Sequence, residues 1–498
     1  MSVCKEALMI ASQHFPNLRQ ASTSKESLVR QAIMRLAAPV CAAIFISATQ
    51  LHSQQLPLLA VGTLDESRAG AWADVSGLNY TLENGVPANN LGGMGSAITY
   101  VGGNDFLALP DRGPNAVPFN PAVDDTVAYV NRFHTVHLNL TPNTTGSGLP
   151  FELKPLLQQT TFLWSTTPLV YGSVNGSGVP PINGVMRYYF TGRSDGFDAS
   201  QNSGDPNDAR FDTEGIRVSN DGSSVFISDE YGPYIYQFDR NTGVRLRSFA
   251  LPSSFYVPNL SAVGNTEISG NTVGRTTNKG MEGLAITPDG KTLVGIVQAA
   301  LLQDAAQKGA AAKVLRIVTI DIASGQVTGQ FAYGLTTGSG VSEILALNNH
   351  EFLVDERDGH GRADGSLAVV KQLFKIDLTG ATDVGAMDGK TAAANEVKKT
   401  LFVDLVTSMN AAGISAAEIP AKIEGISFGP DLKGGGETIH TLWVANDNDF
   451  TLTVLDPDGN TIANPNQFFV FGFKDSDLGG SAYVPQFQES RELPAFLR

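Results

Sequence analysis

The chain has 498 residues, with 34 lysines and arginines against 49 aspartates and glutamates, so its formal net charge is −15. That surplus of acid argues against a nucleic-acid-binding protein, which needs a basic surface to meet phosphates. Apolar residues make up 42% of the chain, too many for an intrinsically disordered protein. The 52 glycines and 25 prolines disfavour a helical bundle and favour many short strands joined by tight turns.

The N-terminal segment has the pattern of a signal peptide. Arg30 and Arg35 precede an apolar run over residues 36–48, and a polar stretch over residues 49–55 follows it. The run is shorter than the roughly 18 residues that a membrane-spanning helix requires. We therefore predict a leader over residues 1–53, and a secreted or periplasmic mature chain over residues 54–498 with no integral membrane segment. An uncleaved anchor or a buried helix is the alternative.

Both cysteines, Cys4 and Cys41, lie in the predicted leader. The mature chain would therefore contain no disulfide, no thiolate metal site and no cysteine nucleophile. The leader also carries more basic than acidic residues, so its removal would leave a chain more acidic than the whole.

A short unit recurs along the mature chain. It consists of Glu-Gly, an alternating apolar run, a turn containing Asp-Gly or Pro-Asp, a second apolar run and a polar or acidic end. The clearest copies begin at Glu214, Glu282 and Glu424, and weaker copies begin at Ser342 and Gly95. Period-2 alternation around such a turn is a strong local signal for a β-hairpin. The copies are spaced too widely for one hairpin each, and the spacing suits four-stranded propeller blades with loop insertions.

These patterns predict an all-β fold, namely a single β-propeller of five to six four-stranded blades. We expect a first strand near residues 58–64 to close the ring by pairing with the last blade, since closure leaves few exposed sheet edges. Short helical insertions are expected over residues 299–313 and 409–419, and surface loops over residues 172–184 and 265–280. A pair of β-sandwiches or a β-helix is the alternative.

The repeat also brings carboxylates into register. The innermost strands of a propeller run along its axis, so side chains at equivalent ends of those strands converge in a ring. Converging carboxylates repel one another unless cations neutralise them, and Ca²⁺ accepts six to eight oxygen ligands. The sequence therefore predicts a calcium site, with solvated acidic loops as the alternative. The candidate ligands are Asp111, Glu214, Asp229, Glu230, Glu282, Glu343, Asp355, Glu356, Glu424 and Asp447.

Several strings together resemble the phytase-like family, whose members carry the label "esterase-like activity of phytase". They are Asp-Arg-Gly-Pro at 111–114, Glu-Gly-Ile at 214–216, Asp-Glu-Tyr-Gly-Pro at 229–233 and Glu-Gly-Leu-Ala-Ile-Thr-Pro-Asp-Gly at 282–290. The resemblance spans roughly residues 75–455 and implies a secreted, calcium-dependent β-propeller that acts on ester or phosphoester bonds of a small molecule. The Glu-Gly-Leu start is also similar to that of gluconolactonase-type propellers, in which an axial Glu and Asn/Asp residues hold one calcium ion.

In such a hydrolase, calcium would bridge an anionic substrate to so acidic a protein, polarise its oxygen and lower the pKa of a water molecule. Glu230 or Glu214 would act as the base toward that water. His360 is a further candidate for a general acid or base, with a plain loop residue as the alternative. Alkaline phytases also bind phosphate through basic residues beside the calcium ions. The basic residues of this sequence form no dense cluster, which is a departure from that pattern. The candidate substrate-binding residues are Arg112, Arg357 and Arg362.

Other functions stay open at this point. A non-catalytic propeller could bind a ligand or an envelope partner with structural calcium, and a lactonase or arylesterase-like propeller would use the same ion on a carbonyl group. Gly-x-Ser-x-Gly occurs at 192–196 and 425–429, but neither copy turns from a strand into a helix as a nucleophile elbow does. We expect a monomer. A second calcium site or a solvated acidic loop would account for Asp195, Asp198, Asp205, Asp208 and Asp212.

Overall fold

The computed structural model describes residues 55–117, 120–124, 126–173, 178–232, 234–434 and 436–486. The leader predicted over residues 1–53 lies outside the described residues. Within the described residues the chain forms five antiparallel sheets that are the blades of a β-propeller. The predicted all-β fold and propeller architecture are confirmed, and the number of blades is five.

Four blades are built in chain order from the axis outward, and the fifth combines both ends of the domain. Blade 1 contains β4 (Ala97–Gly102), β5 (Asp105–Leu109), β6 (Arg132–Pro142) and β7 (Phe151–Phe162). Blade 2 contains β10 (Thr213–Val218), β11 (Ser224–Asp229), β12 (Tyr234–Asp239) and β13 (Arg245–Ala250). Blade 3 contains β14 (Met281–Ile286), β15 (Thr292–Val297), β16 (Val314–Asp321) and β17 (Val327–Gly334). Blade 4 contains β18 (Gly340–Ala346), β19 (Glu351–Arg357), β20 (Lys371–Asp377) and β21 (Lys399–Asp404). Blade 5 contains β22 (Ile423–Phe428), β24 (Glu437–Asn446), β27 (Asn466–Phe473) and, outermost, β1 (Leu58–Leu64).

The remaining strands are short and lie in connections or beside β24. They are β2 (Glu66–Ser67), β3 (Gly70–Ala71), β8 (Trp164–Ser165), β9 (Tyr188–Tyr189), β23 (Leu432–Gly434), β25 (Thr453–Leu455) and β26 (Thr461–Ala463).

The first strand closes the ring, as predicted. β1 pairs antiparallel with β27, with Val61 opposite Phe469 and Leu64 opposite Asn466. The strand is rich in apolar residues, and Leu58, Leu59 and Ala60 are buried in the blade interfaces. Pairing across the two ends of the domain covers an edge that would otherwise be open to other chains.

Helices are few and short. The described α-helices are α1 (Gly264–Ser269), α2 (Leu302–Ala305), α3 (Gly389–Ala393) and α4 (Leu405–Ala411). The insertion expected over residues 299–313 contains α2 and a 3₁₀ turn over Gly309–Lys313, whereas α4 begins earlier than expected. The surface loop expected over residues 265–280 is wrong in part, because it contains most of α1 and a buried ion pair between Glu267 and Arg275. Among the described helices, none has the length and apolar character needed to cross a bilayer.

The inner strands β4, β10, β14, β18 and β22 contact one another around the axis. The register of β10, β14 and β22 shifts at each Glu-Gly, which is a β-bulge. The glycine of the repeat lies where two inner strands approach most closely. A Cβ on Gly283 would lie 2.7 Å from the backbone nitrogen of Ile344, and one on Gly425 would lie 2.9 Å from the carbonyl oxygen of Gly95. Close packing between neighbouring blades therefore explains why the repeat has a glycine at this position. The bulge determines where the side chain of the preceding glutamate points.

Most long connections lie at one end of the propeller, where the inner strands begin and the second strands end. We call this end the loop-rich face. Its described connections include residues 110–117, 120–124, 126–131, 163–173, 178–212, 251–280, 298–313, 405–422 and 447–465. At the opposite end the inner and second strands of blades 1 to 4 are joined by short turns at 103–104, 219–223, 287–291 and 347–350. Long loops on a rigid scaffold are the usual carriers of binding and catalysis.

The C-terminal segment 479–486 crosses the opposite mouth of the axis. Its Val484 N–H donates to the carbonyl oxygen of Leu347 at 2.8 Å, and the Gln486 side chain donates to that of Val218 at 2.8 Å. The Tyr483 ring packs on Phe428 with their centroids 4.5 Å apart. The segment thus joins blades 2, 4 and 5 and covers a cavity of about 90 Å³ that no carboxylate lines.

Candidate functional site

Five inner strands each direct one side chain to the axis at the loop-rich face. In β10, β14 and β22 it is the glutamate of the bulge, and in β18 it is the serine at the corresponding shift of register. In blade 1 it is the serine just before β4, whose hydroxyl contacts a Glu424 carboxylate oxygen at 3.5 Å. The ring therefore consists of Ser96, Glu214, Glu282, Ser342 and Glu424.

Glu343 is one residue out of this register. It pairs with Asp355 in the way that Gly283 pairs with Ile296, so it takes the place of the repeat's glycine. Its carboxylate accepts hydrogen bonds from the backbone N–H groups of Leu284 and Ile344, both at 2.9 Å. It also forms an ion pair with Arg217 at 2.9 Å. The structure therefore does not bring Glu343 into the group formed by the other axial glutamates.

The ends of the second strands supply the next set of side chains. In four blades the residue beside the ring is polar or charged: Glu230 after β11, Gln298 after β15, Arg357 at the end of β19 and Asp447 after β24. Asp111 follows β5 in blade 1. These residues and the ring form two groups of carboxylates, which differ in their counter-charges.

The first group, which we call the open half, consists of Asp212, Glu214, Glu230 and Glu282. One carboxylate oxygen from each of the first three lies within 4.8 Å of the others. Glu282 faces Glu230 and accepts a hydrogen bond from Gln298 at 2.7 Å, while its other oxygen is buried and has no hydrogen-bond partner.

Two basic side chains of the described residues pair with the open half, Arg112 at Asp212 and, at longer range, Arg357 at Glu282. The Arg112 guanidinium lies 3.2 Å from Asp212 and also donates to the side-chain oxygen of Asn278. Glu230 is held by the backbone N–H of Gly280, which donates to it at 3.1 Å. The remaining oxygens of the open half therefore face one another with little compensation.

The second group, which we call the closed half, consists of Asp111, Asp447 and Asp449. One carboxylate oxygen from each lies within 4.8 Å of the others. The Lys422 ammonium lies 2.8 Å from Asp447 and also bonds to Asp449. A protein cation thus already neutralises part of this half.

Arg357 lies between blades 3 and 5 at the rim of the ring. Its guanidinium forms an ion pair with Glu424 and lies 4.0 Å from Glu282. Its Nε donates to the Ser342 hydroxyl at 2.6 Å. Arg357 is therefore the counter-charge of Glu424 and also reaches the Glu282 edge of the open half.

The pKa values of five carboxyls at the axis are raised, first by burial and then by neighbouring carboxylates. The pKa values of Asp111, Glu214 and Glu230 stand well above their usual range. Burial and a neighbouring acidic group raise those of Glu282 and Asp447 to about 7. A bound cation would favour the charged forms and lower these pKa values. The donor set of the open half is entirely carboxylate oxygen, which suits a hard ion such as Ca²⁺.

Three other predicted ligands belong to neither half and have other partners or none. Asp229 accepts hydrogen bonds from three backbone N–H groups, at 2.8 to 3.1 Å, and so shapes the turn that carries Glu230. Glu356 accepts from the Tyr333 hydroxyl at 2.6 Å and pairs with Lys399. Asp355 is buried, neither of its oxygens has a hydrogen-bond partner, and burial raises its pKa to about 8.

Two further predicted site residues lie in the loop that follows β19, apart from the carboxylate group. The His360 side chain is 56% exposed and contacts Asp364 and Ser366, both at 3.1 Å. Arg362 donates to the side chain of Gln467 at 2.6 Å. The structure does not bring either residue to the ring.

Three residues of the site are not predicted at the axis: Asp212, which the sequence assigns to a second calcium site or a solvated acidic loop, and Lys422 and Asp449, which it does not single out. Asp212 and Lys422 each lie two positions before a bulge glutamate, and side chains two apart along a strand share a face, so the period could have revealed both. Asp449 has no such signal. It reaches the closed half because Asp449 and Phe450 both adopt left-handed backbone angles, with φ of 50° and 53°. Such angles are rare for residues other than glycine.

Comparison with known proteins identifies relatives of this chain. The family described as "Phytase-like: Esterase-like activity of phytase" matches residues 89–450. A protein of Arthroderma benhamiae, described as an uncharacterized secreted protein, is 30% identical over 339 residues, which is 56% of this chain and 63% of that protein. The chain thus spans less than two thirds of that relative.

Solved structures with a similar fold are more distant. A luciferin-regenerating enzyme aligns with a TM-score of 0.32 and 10% identity, over 80% of this chain and 96% of that one. A putative 6-phosphogluconolactonase from Bacteroides uniformis aligns with a TM-score of 0.29 and 12% identity, over 75% of this chain and 88% of that one. At these scores nothing about activity passes from those proteins to this chain.

Proposed function

We propose that this chain, which belongs to the phytase-like family (esterase-like activity of phytase), is an exported, calcium-dependent hydrolase of ester or phosphoester bonds in small molecules. The observation that carries the proposal is the open half, a set of buried carboxylates that converge on the loop-rich face with few counter-charges. Export is supported by the signal-peptide pattern over residues 1–53 and by the relative described as secreted.

The donor set supports calcium. Burying several carboxylates together without cations is unfavourable, because each loses its hydration and repels the others. Asp212, Glu214 and Glu282 would hold the ion, and the unpartnered oxygen of Glu282 is the clearest sign that a positive group belongs there. Bound calcium would supply a Lewis acid that polarises the ester or phosphoryl oxygen and acidifies a water molecule.

Glu230 is the residue that we assign as general base. The Gly280 N–H donates to one of its oxygens, and the carboxyl also faces Glu282, so the pair can share a proton. Its pKa is held well above the usual range by burial and by Glu282, so the carboxyl can exchange a proton nearer to neutral pH. Arg112 borders the open half and Arg357 borders the ring, where they can orient an anionic group. His360 and Arg362 have no role in this proposal.

The proposal is tested by a hydrolysis screen of phosphomonoesters, phytate, lactones and aryl esters, with calcium and with chelator. We expect turnover in at least one class, loss of it on chelation and recovery when calcium is restored. Glu230→Gln at saturating calcium should lower kcat at least about 100-fold, as removal of a general base does. Glu437→Gln, at an exposed position on β24, is the matched control and should keep full activity. Activity that chelation leaves unchanged would contradict the proposal.

A second candidate function is a non-catalytic binding platform with structural calcium. The observation in its favour is the depth of the site, since Glu230 is 2% exposed. It predicts calcium binding and calcium-dependent stability with no turnover in any substrate class. If only lactones or aryl esters react, the chain is a hydrolase of carboxylic esters or lactones and not of phosphoesters.

A further inference from the structure

We propose that the axial site binds one divalent cation and not two, because the Lys422 ammonium occupies the second cation position. The inference rests on the metal site of the proposed function but not on hydrolysis. It assigns the ion to the open half and assigns to Lys422 the place that a second ion would take.

The two halves are alike in their acidic groups. Each contains three aspartate or glutamate residues whose nearest carboxylate oxygens lie within 4.8 Å of one another: Asp212, Glu214 and Glu230 in one, and Asp111, Asp447 and Asp449 in the other. Both halves lie on the loop-rich face at the ends of inner and second strands. Carboxylate geometry alone would therefore predict two similar ion sites.

The counter-charges distinguish the halves. In the closed half the Lys422 ammonium bonds to Asp447 and to Asp449, so two of three carboxylates share one protein cation. In the open half Arg112 pairs with Asp212 and Arg357 lies 4.0 Å from Glu282, while no lysine or arginine of the described residues forms an ion pair with Glu214 or Glu230. An ammonium with three N–H donors can satisfy several carboxylate oxygens at once, as a small cation does.

An independent observation points to a missing cation in the open half only. Glu282 is 3% exposed, one of its oxygens has no hydrogen-bond donor, and the neighbouring Glu230 carboxyl can donate to it only when protonated. Buried carboxylate oxygens are normally paired with donors or cations. In the closed half, by contrast, no oxygen of Asp111, Asp447 or Asp449 belongs to the buried, unpartnered atoms of the described residues.

The loop that carries Asp449 is built to hold it against Lys422. Asp449 and Phe450 adopt consecutive left-handed backbone angles, which are unfavourable outside glycine. The Phe450 ring secures this conformation by packing edge-on against Tyr129, with centroids 5.1 Å apart, and against the backbone of Gly93. The strain is thus offset by packing, and its result is a third carboxylate beside the ammonium.

The experiment counts calcium ions bound to the full chain after chelator treatment, by native mass spectrometry and by calorimetric titration. We expect one ion for the unchanged chain and two for Lys422→Gln, because the substitution frees the closed half. Glu214→Gln should bind none, and the double variant Lys422→Gln/Glu214→Gln should bind one. Lys154→Gln, at an exposed lysine outside the site, is the matched control and should bind one.

Each result has a defined meaning. Two ions on the unchanged chain, or one ion on a Lys422→Gln chain with an unchanged circular-dichroism spectrum, would overturn the inference. If Lys422→Gln does not fold, the other two proteins decide. One ion on the unchanged chain and no ion on folded Glu214→Gln support the inference. Any ion retained by Glu214→Gln overturns it. No ion on the unchanged chain would overturn both this inference and the calcium-dependent function. One ion without hydrolysis would overturn the hydrolase and leave the inference standing.

Discussion

The Glu343 carboxylate and the Arg217 guanidinium form a buried ion pair at 2.9 Å, at the point where the inner strands meet. Arg217 extends from β10 and also donates to the carbonyl oxygens of Ile98 in β4, at 3.0 Å, and of Ile344 in β18, at 3.1 Å. One arginine thus joins the inner strands of three blades. It also lines the small cavity at the far mouth.

This pair yields the first prediction. Arg217→Met leaves the Glu343 carboxylate buried without its cation, so the free energy of unfolding should fall by about 3 to 5 kcal/mol. Replacing both partners, as Arg217→Met/Glu343→Leu, should be less damaging than the arginine change alone, because no lone charge remains. Urea unfolding measures both. Lys154→Met, in an exposed ion pair with Glu152, is the control and should change stability by less than about 1 kcal/mol. A loss as small in Arg217→Met as in the control would contradict a structural role.

Much of the propeller can be predicted from the sequence, because short local patterns determine its strands and turns. The Glu-Gly starts at 214, 282 and 424 and the alternating runs after them mark inner strands that the structure places side by side. The pairing of β1 with β27 follows from the need to close the ring, since an unpaired first strand would leave an open edge.

The site is harder to predict, because the positions of its side chains depend on strand register and on backbone angles. Ser342-Glu343 looks like a variant of Glu-Gly, yet the bulge falls on Ser342, and a shift of one residue sends the glutamate to Arg217. Asp449 reaches the site through two left-handed residues that nothing in the local sequence marks. Which counter-charge each carboxylate meets is a tertiary property, and it decides which half can take an ion.

The second prediction concerns the packing of neighbouring inner strands. In Gly283→Ala the added Cβ would lie 2.7 Å from the backbone nitrogen of Ile344 and 2.8 Å from the carbonyl carbon of Glu343, and backbone atoms cannot move aside cheaply. We expect a loss of about 1 to 3 kcal/mol in the free energy of unfolding, as in overpacked cores. Gly359→Ala is the matched control, since a Cβ there meets nothing within 4 Å. Equal thermal midpoints for the two variants would show that the glycine is not required for packing.

The third prediction is a pH dependence that originates at Asp355. Burial raises the pKa of this carboxyl to about 8, so the folded protein keeps a proton that the unfolded chain loses near pH 4. Stability therefore falls as the pH rises from about 4 to about 8. Asp355→Asn removes this loss, so it should match the wild type at pH 4.5 and exceed it by at least about 2 kcal/mol at pH 8.5. Denaturant unfolding across this range gives the difference, with Asp458→Asn in an exposed turn as control. A pH-independent difference would contradict the assignment.

The fourth prediction has the opposite sign. Although burial opposes it, Arg275 and Arg210 lower the pKa of Glu267 to about 2. The folded pKa lies below the unfolded value, so this stabilisation is present above about pH 4.5 and is lost as the pH falls toward 2. Glu267→Gln should therefore lower the free energy of unfolding by about 2 to 4 kcal/mol at pH 7, and the gap to the wild type should narrow below pH 4.5. Chemical unfolding at pH 7, 5 and 3.5 measures the gap, and one that widens in acid would contradict the argument.

The last prediction concerns the effect of calcium on stability. An ion that binds the folded chain alone adds RT ln(1 + [Ca²⁺]/Kd) to its free energy of unfolding, about 2.7 kcal/mol at a hundredfold excess over Kd. Calcium added to chelated protein should therefore raise the thermal midpoint. Because neighbouring carboxyls that are protonated without metal must release protons on binding, its apparent affinity should strengthen between pH 5.5 and 8.

Scanning calorimetry at several calcium concentrations and pH values tests this. The shift should vanish in Glu214→Gln, which removes a charge from the open half, and persist in Glu437→Gln, which changes an exposed glutamate outside it. Magnesium should stabilise less than calcium at equal concentration, since it demands near-octahedral geometry and gives up its water reluctantly, whereas calcium accepts an irregular cluster of carboxylates. A calcium shift of equal size in Glu214→Gln and Glu437→Gln would place the ion elsewhere on the protein.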